Sequence, residues 1–222
     1  MTAPENFQRL GLSRRTLLGA TAGGVLLGGV AAATVPTAAH AAPAPRCYTR
    51  AEWSARPPKS ATQVIAKPDH IVIHHTASPN VTDYSLAAAY KVQHWIQDLH
   101  MDTNGWIDIG NQLTISRGGY LMEGRSKSLS AINNRQNVLG AQTLNNNSHT
   151  IGIEHEGIYT SENPTTALFD MSVLTCAWLC TQYGLDPHVA IVGHRDYNST
   201  QCPGDVFYSR LPELRDRVAA VL

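Results

Sequence analysis

The sequence predicts an α/β (α+β) fold: a single domain in which a central mixed β-sheet is flanked by helices. Two patterns carry this reading. Short β-branched runs end in polar, chemistry-bearing residues, as in Ile71-Val-Ile-His-His75 and around Val189–Val192. Longer segments with apolar residues at helical spacing separate them, near 83–100 and 166–183. Strands interleaved with helices place both kinds of element around one sheet.

Residues 1–41 read as an export signal. Arg14-Arg15 precede an Ala- and Gly-rich apolar run from Leu17 to Val35, which ends near Ala39-His40-Ala41, a cleavage pattern. The paired arginines suggest the twin-arginine route. A membrane anchor is the competing reading, but the glycines, alanines and cleavage pattern favour removal. The domain expected is therefore 42–222, secreted or held at the cell wall, with no membrane association once the signal is gone. Removing Arg9, Arg14, Arg15 and Glu5 from a balanced 17 and 17 leaves 14 basic against 16 acidic side chains. That charge gives no electrostatic case for nucleic acid. About 180 residues suffice for one core, and two would be crowded.

Taken in order, the first strand spans 70–75 and is broken by Ser78-Pro79. A helix follows from about Asp83 to His100, capped at Thr82 or Asp83, with Leu86, Tyr90, Trp95 and Leu99 as its apolar positions; Thr103-Asn-Gly105 ends it. Strands over 111–116 and 120–123 flank a hairpin turn at Arg117-Gly-Gly119. The asparagine-rich stretch 133–149 reads as an irregular surface loop. Ile151-Gly-Ile-Glu-His-Glu-Gly157 alternates, so Glu154 and Glu156 share one face while Ile151, Ile153 and His155 share the other. The second long helix covers Thr166 to Tyr183 and stops at Gly184. A strand at Val189–Val192 and a helix from Leu211 close the chain. Of the four cysteines, Cys47 is expected to bridge to Cys176 or Cys180, whereas Cys202 lies in a turn-forming Cys-Pro-Gly.

Zinc takes nitrogen and thiolate donors converging on one point, and a catalytic site leaves one position open. One of His74 and His75, together with His194 and Cys202, would supply such donors from strand ends and a loop. Adjacent residues of a strand face opposite sides, so His74 and His75 cannot readily bind one metal together. Spacing alone leaves open which one does.

The motifs around these residues resemble those of the zinc-dependent N-acetylmuramoyl-L-alanine amidase family, which includes the peptidoglycan recognition proteins. They are Ile71-Val-Ile-His-His-Thr76, His100-Met-Asp-Thr-Asn-Gly-Trp-Ile-Asp-Ile-Gly110, Glu123-Gly-Arg125, Ile151-Gly-Ile-Glu154, Gly193-His-Arg-Asp196 and Thr200-Gln-Cys-Pro-Gly204. The resemblance implies a zinc ion held by His74, His194 and Cys202, with His75 as scaffold. It implies Glu154 as the general base and Thr200 as a donor to the oxyanion. Asn111 and Gln142 stand where relatives usually carry Tyr and His, and are expected to hydrogen-bond substrate. The implied substrate is peptidoglycan or muropeptides, cut by a monomer between N-acetylmuramic acid and L-alanine. Some relatives only bind the wall; these commonly lose the cysteine ligand, so Cys202 favours an enzyme. His94 and His100 read as core-edge or surface histidines, and Trp106 as core or as a wall of the cleft.

Overall fold

The structure is a computed structural model and describes residues 42–222; the export signal expected over 1–41 lies outside them. Strands β1 (Cys47–Tyr48), β2 (Val64–Ile65) and β3 (His70–His75) precede helix α1 (Leu86–Asp98). Next come β4 (Leu113–Ile115), β5 (Leu121–Glu123), the short α2 (Ser128–Asn133), β6 (Asn137–Val138) and β7 (Thr150–His155). The last third holds α3 (Thr166–Tyr183), α4 (Pro187–Ala190), β8 (Ile191–Gly193), α5 (Asp205–Ser209) and α6 (Leu211–Ala219). Six strands form one mixed sheet in the order β1-β5-β4-β7-β3-β8, and β2 pairs with β6 separately. Only β4 and β5 run antiparallel in the main sheet, joined by a tight turn in which Gly119 adopts φ +80°.

The centre of the sheet explains the first apolar run. β3 lies between β7 and β8, parallel to both, and Ile71, Val72 and Ile73 are fully buried. A parallel strand covered on both faces needs such a continuous run rather than alternation. Ile71, Ile73, Ile151 and Ile153 join Phe169, Val173 and Leu179 of α3 and Leu211, Leu214 and Val218 of α6 in one core cluster. Helix α3 matches its expected span: Thr165 accepts from Leu168 N at 3.2 Å, and Gly184 ends it at φ +68°. With α3 and α6 filling one face, the alternate residues of β3 and β7, His74 and Glu154 among them, turn to the other.

Three expectations change. Helix α1 starts later, with Ser85 as its cap accepting from Ala88 N at 3.1 Å. Its buried face is Ala89, Gln93, Ile96 and Gln97, while Trp95 is 42% exposed. The glutamines turn inward because neighbouring backbone needs them. Gln97 brackets Arg56, accepting from its N and donating to its O, each at 3.0 Å, and Gln93 donates to Glu123 O. β8 begins at Ile191 rather than Val189, because Asp186 caps a helical turn through His188 N at 2.9 Å. The expected disulfide does not form: all four cysteines are free, and Cys176 and Cys180 are packed in the core as small apolar groups. No helix among the described residues is long and apolar enough to cross a membrane.

His155 ties this core to the site. Its Nδ1 donates to His74 O at 2.8 Å, its Nε2 lies 2.8 Å from Ser172 Oγ on α3, and its ring packs on Phe207. Burial lowers its pKa from 6.5 to about 4. The folded state therefore binds fewer protons than the unfolded chain between those values. Stability from His155 is full above about pH 6.5 and is lost as pH falls towards 4, by at most about 3 kcal/mol. Urea denaturation at a series of pH values measures the summed slope of the buried histidines, and His155→Gln should make it shallower.

Candidate functional site

Three donor-bearing side chains converge where β3 and β8 end. His74 is the fifth residue of β3, His194 follows β8 directly, and Cys202 returns on the loop before α5. Their donor atoms all lie within 4.8 Å of one another. His74 Nδ1 is 3.7 Å from Cys202 Sγ, and the rings of His74 and His194 are 4.5 Å apart.

Hydrogen bonds select the donor atom of each ring. His74 Nε2 donates to Gln142 Oε1 at 2.5 Å, leaving Nδ1 unprotonated towards the thiol. The Gln142 amide cannot turn round, because its Nε2 donates to Thr150 Oγ1 at 2.8 Å. His194 repeats the device: Nε2 donates to Asn198 Oδ1 at 3.1 Å, and Asn198 Nδ2 donates to Leu144 O. Both Nδ1 lone pairs are thereby left free. Such outer partners fix tautomer and ring orientation at metal sites. Gly152 makes room for this arrangement, since a Cβ there would lie 2.8 Å from Gln142 Cγ and Cδ.

His75 contributes through its backbone. Its N–H donates to Cys202 Sγ at 3.3 Å, while its ring Nδ1 accepts from Tyr159 N at 3.3 Å. Strand alternation separates the adjacent histidines as expected.

Burial first, and then the neighbouring His194, hold the His74 pKa well below the usual imidazole range; burial also lowers that of His194. Neutral imidazoles are what a metal requires. Burial, and next the Glu154 carboxyl, push the Cys202 thiol up to about 12. A thiolate here therefore needs a cation beside it. Two imidazole nitrogens and one sulfur of this kind are a donor set that zinc takes, and the residues fit such an ion.

The donors open into a cavity of about 290 Å³ that also takes in His75, Ala77, His100, Trp106, Gln142, Glu154 and Thr200. Glu154 is next to His74 in the β3–β7 ladder, and burial raises its carboxyl to about 7. The Thr200 hydroxyl accepts from Cys202 N at 3.2 Å and retains its own proton to donate. A larger hollow of about 590 Å³, lined by Ala141, Leu144, Asn147, Asn198 and Ser199, adjoins it through Trp106, Gln142, His194 and Thr200.

Two expected substrate contacts are placed differently. Asn111 is fully buried, and its Nδ2 donates to Leu113 O at 2.8 Å and to Thr114 Oγ1 at 2.9 Å, so it faces the fold rather than the cleft. Gln142 lines the cleft, but its amide is engaged by His74 and Thr150. His100, read from sequence as a core-edge or surface histidine, lines the cavity. Its Nδ1 accepts from Gly110 N at 3.2 Å, its ring lies 4.6 Å from that of Trp106, and burial lowers its pKa to about 4.

Comparison with known proteins places the chain in a family. A family profile described as N-acetylmuramoyl-L-alanine amidase matches residues 65–205. The N-acetylmuramoyl-L-alanine amidase of Homo sapiens is 32% identical over 171 residues, covering 75% of this chain. The chain spans only 28% of that relative's length, and 27% of the Sus scrofa one. Peptidoglycan-recognition protein LB of Drosophila melanogaster is 30% identical over 166 residues, covering 75% of this chain and 67% of its own. The solved structure of Drosophila PGRP-LB superposes with a TM-score of 0.65 over 75% of this chain and 92% of that one. A variant of that protein has been solved in complex with tracheal cytotoxin.

Two substitutions separate orientation from scaffold. Gln142→Ala should weaken zinc affinity by ~10–100-fold in a chelator competition titration, because the His74 ring loses its tautomer partner. His75→Ala should leave that affinity unchanged, since the thiol is supported by backbone. It should lower unfolding stability by about 1–3 kcal/mol in urea, because Tyr159 N is left without an acceptor.

Proposed function

Because the chain belongs to the N-acetylmuramoyl-L-alanine amidase family, we propose that it is a secreted zinc hydrolase of peptidoglycan or muropeptides. The bond cut is the amide between N-acetylmuramic acid and L-alanine. The observation that carries this reading is the convergence of His74, His194, Cys202 and Glu154 on one cavity. The paired arginines and cleavage pattern within residues 1–41 support export.

Held by His74, His194 and Cys202, zinc would supply a Lewis acid and an activated water. Glu154 removes a proton from the attacking water and returns it to the leaving amine of L-alanine. Its burial keeps the carboxyl basic enough for both roles. The Thr200 hydroxyl donates to the oxyanion that develops on the lactyl carbonyl. His100 and Trp106 wall the cavity. The adjoining hollow has room for the glycan or stem peptide next to the scissile bond.

The test is incubation of the purified protein with peptidoglycan, with and without chelator, followed by assay of newly exposed L-alanine amino groups. Zinc-dependent release is expected. Retention on intact wall without release would identify a recognition module instead. Glu154→Gln should keep its zinc and lose ~10²–10⁴-fold in turnover. Cys202→Ser should lose turnover together with the zinc held between His74 and His194.

A further inference from the structure

A second cluster of ligand-type side chains sits at the other end of β3, where β7 also begins. Asp69 directly precedes β3, His70 opens it, and His149 directly precedes β7. Asp69 N donates to His149 O at 2.9 Å, and the register sets His70 beside Thr150, so the ladder itself brings the three residues together. Both rings point Nδ1 at one carboxylate oxygen: His70 Nδ1 is 2.7 Å and His149 Nδ1 is 2.8 Å from Asp69 Oδ1. The donor atoms lie within 4.8 Å of one another. Tyr197 stands edge-on to both rings, with centroids 6.0 and 5.7 Å away. The His70 and His149 side chains are 30% and 37% exposed, so an ion can reach the cluster from solvent.

Hydrogen bonding alone leaves this cluster with a conflict. His149 Nε2 faces Asn146 Oδ1 at 3.2 Å, and that carboxamide is oriented by its Nδ2 donating to Leu144 O at 2.9 Å. The ring proton of a neutral His149 therefore belongs on Nε2. Its Nδ1 then presents a lone pair to a carboxylate oxygen, acceptor against acceptor. Either a second ring proton, which makes His149 an imidazolium paired with Asp69, or a metal cation between Nδ1 and Oδ1 removes the conflict, and the metal cation also uses His70, the third donor.

We propose that Asp69, His70 and His149 form a second divalent-cation site, for a transition metal of the zinc class. Two imidazoles select against magnesium and calcium, which prefer oxygen donors. The site fastens the start of β3 to the end of the loop whose other end carries Gln142, the amide that orients His74. It draws on none of the residues of the first cluster and does not depend on the amidase reading.

Equilibrium dialysis of the purified full chain against zinc tests it, with metal content read by elemental analysis. The wild type should hold about two zinc ions per chain, and the His70→Asn/His149→Asn variant about one. Cys202→Ser should retain an ion at the second site. Asp69→Asn, which keeps both rings, should weaken the second binding event at least ~10-fold. Cobalt(II) distinguishes the sites: the thiolate-to-cobalt charge-transfer band should vanish in Cys202→Ser while cobalt is still bound. The band should persist in the double histidine variant. A wild type holding a single zinc that Cys202→Ser abolishes would overturn the proposal. So would a double histidine variant that still holds two.

Discussion

The parallel pairing of β3 with β7 is the constraint on which the site depends. Every residue from His70 to His75 has its partner from Thr150 to His155, and one of those pairs is His74 with Glu154. A slip by one residue would exchange the faces of a strand, sending Glu154 into the core and Ile153 into the cleft. What forbids the slip lies on the far face. Ile71, Ile73, Ile151 and Ile153 are fully buried against α3 and α6, each side chain contributing about 1.5–3 kcal/mol through burial. The apolar side of the sheet thus sets the position of the polar side, and the chemistry inherits its precision from packing.

Much of this could be read from the chain, and the reasons differ by residue. The β-branched run before His74 and the alternation through Glu154 locate strands because period and side-chain shape are local properties. Gly184 marks a helix end for the same kind of reason. His194 and Cys202 were visible through motifs that several blocks supported together. Gln142 and Asn198 were not legible as partners of the two imidazoles, since a carboxamide shows its use only once a loop has folded against a ring. The inward face of α1 departs from its apolar positions because Gln93 and Gln97 satisfy backbone on Trp53-flanking and hairpin segments far away in sequence. Asn111 was placed in the cleft by position in a motif, whereas its amide completes the turn into β4.

Polar groups in the cleft are mostly held by neutral partners. The two imidazoles are fixed by carboxamides rather than carboxylates, and the thiol by a backbone N–H. The surroundings therefore orient the donors without adding negative charge, and burial opposes ionisation of both Cys202 and Glu154. In such a site the charge is left for a cation to bring, at low local dielectric, where its field on the neighbouring groups is strongest.

The absence of any disulfide has a consequence for how the molecule is made. Four thiols and no crosslink mean that folding requires no oxidant and can run to completion in a reducing compartment. Cys202 gains from this in particular, because a cysteine exposed to oxidising conditions before its fold closes is open to mispairing with Cys47, Cys176 or Cys180. Two of those competitors are sealed inside α3 once the core forms. Packing thereby acts as the molecule's own safeguard of redox chemistry, keeping the Cys176 and Cys180 sulfurs away from Cys202 by burying them.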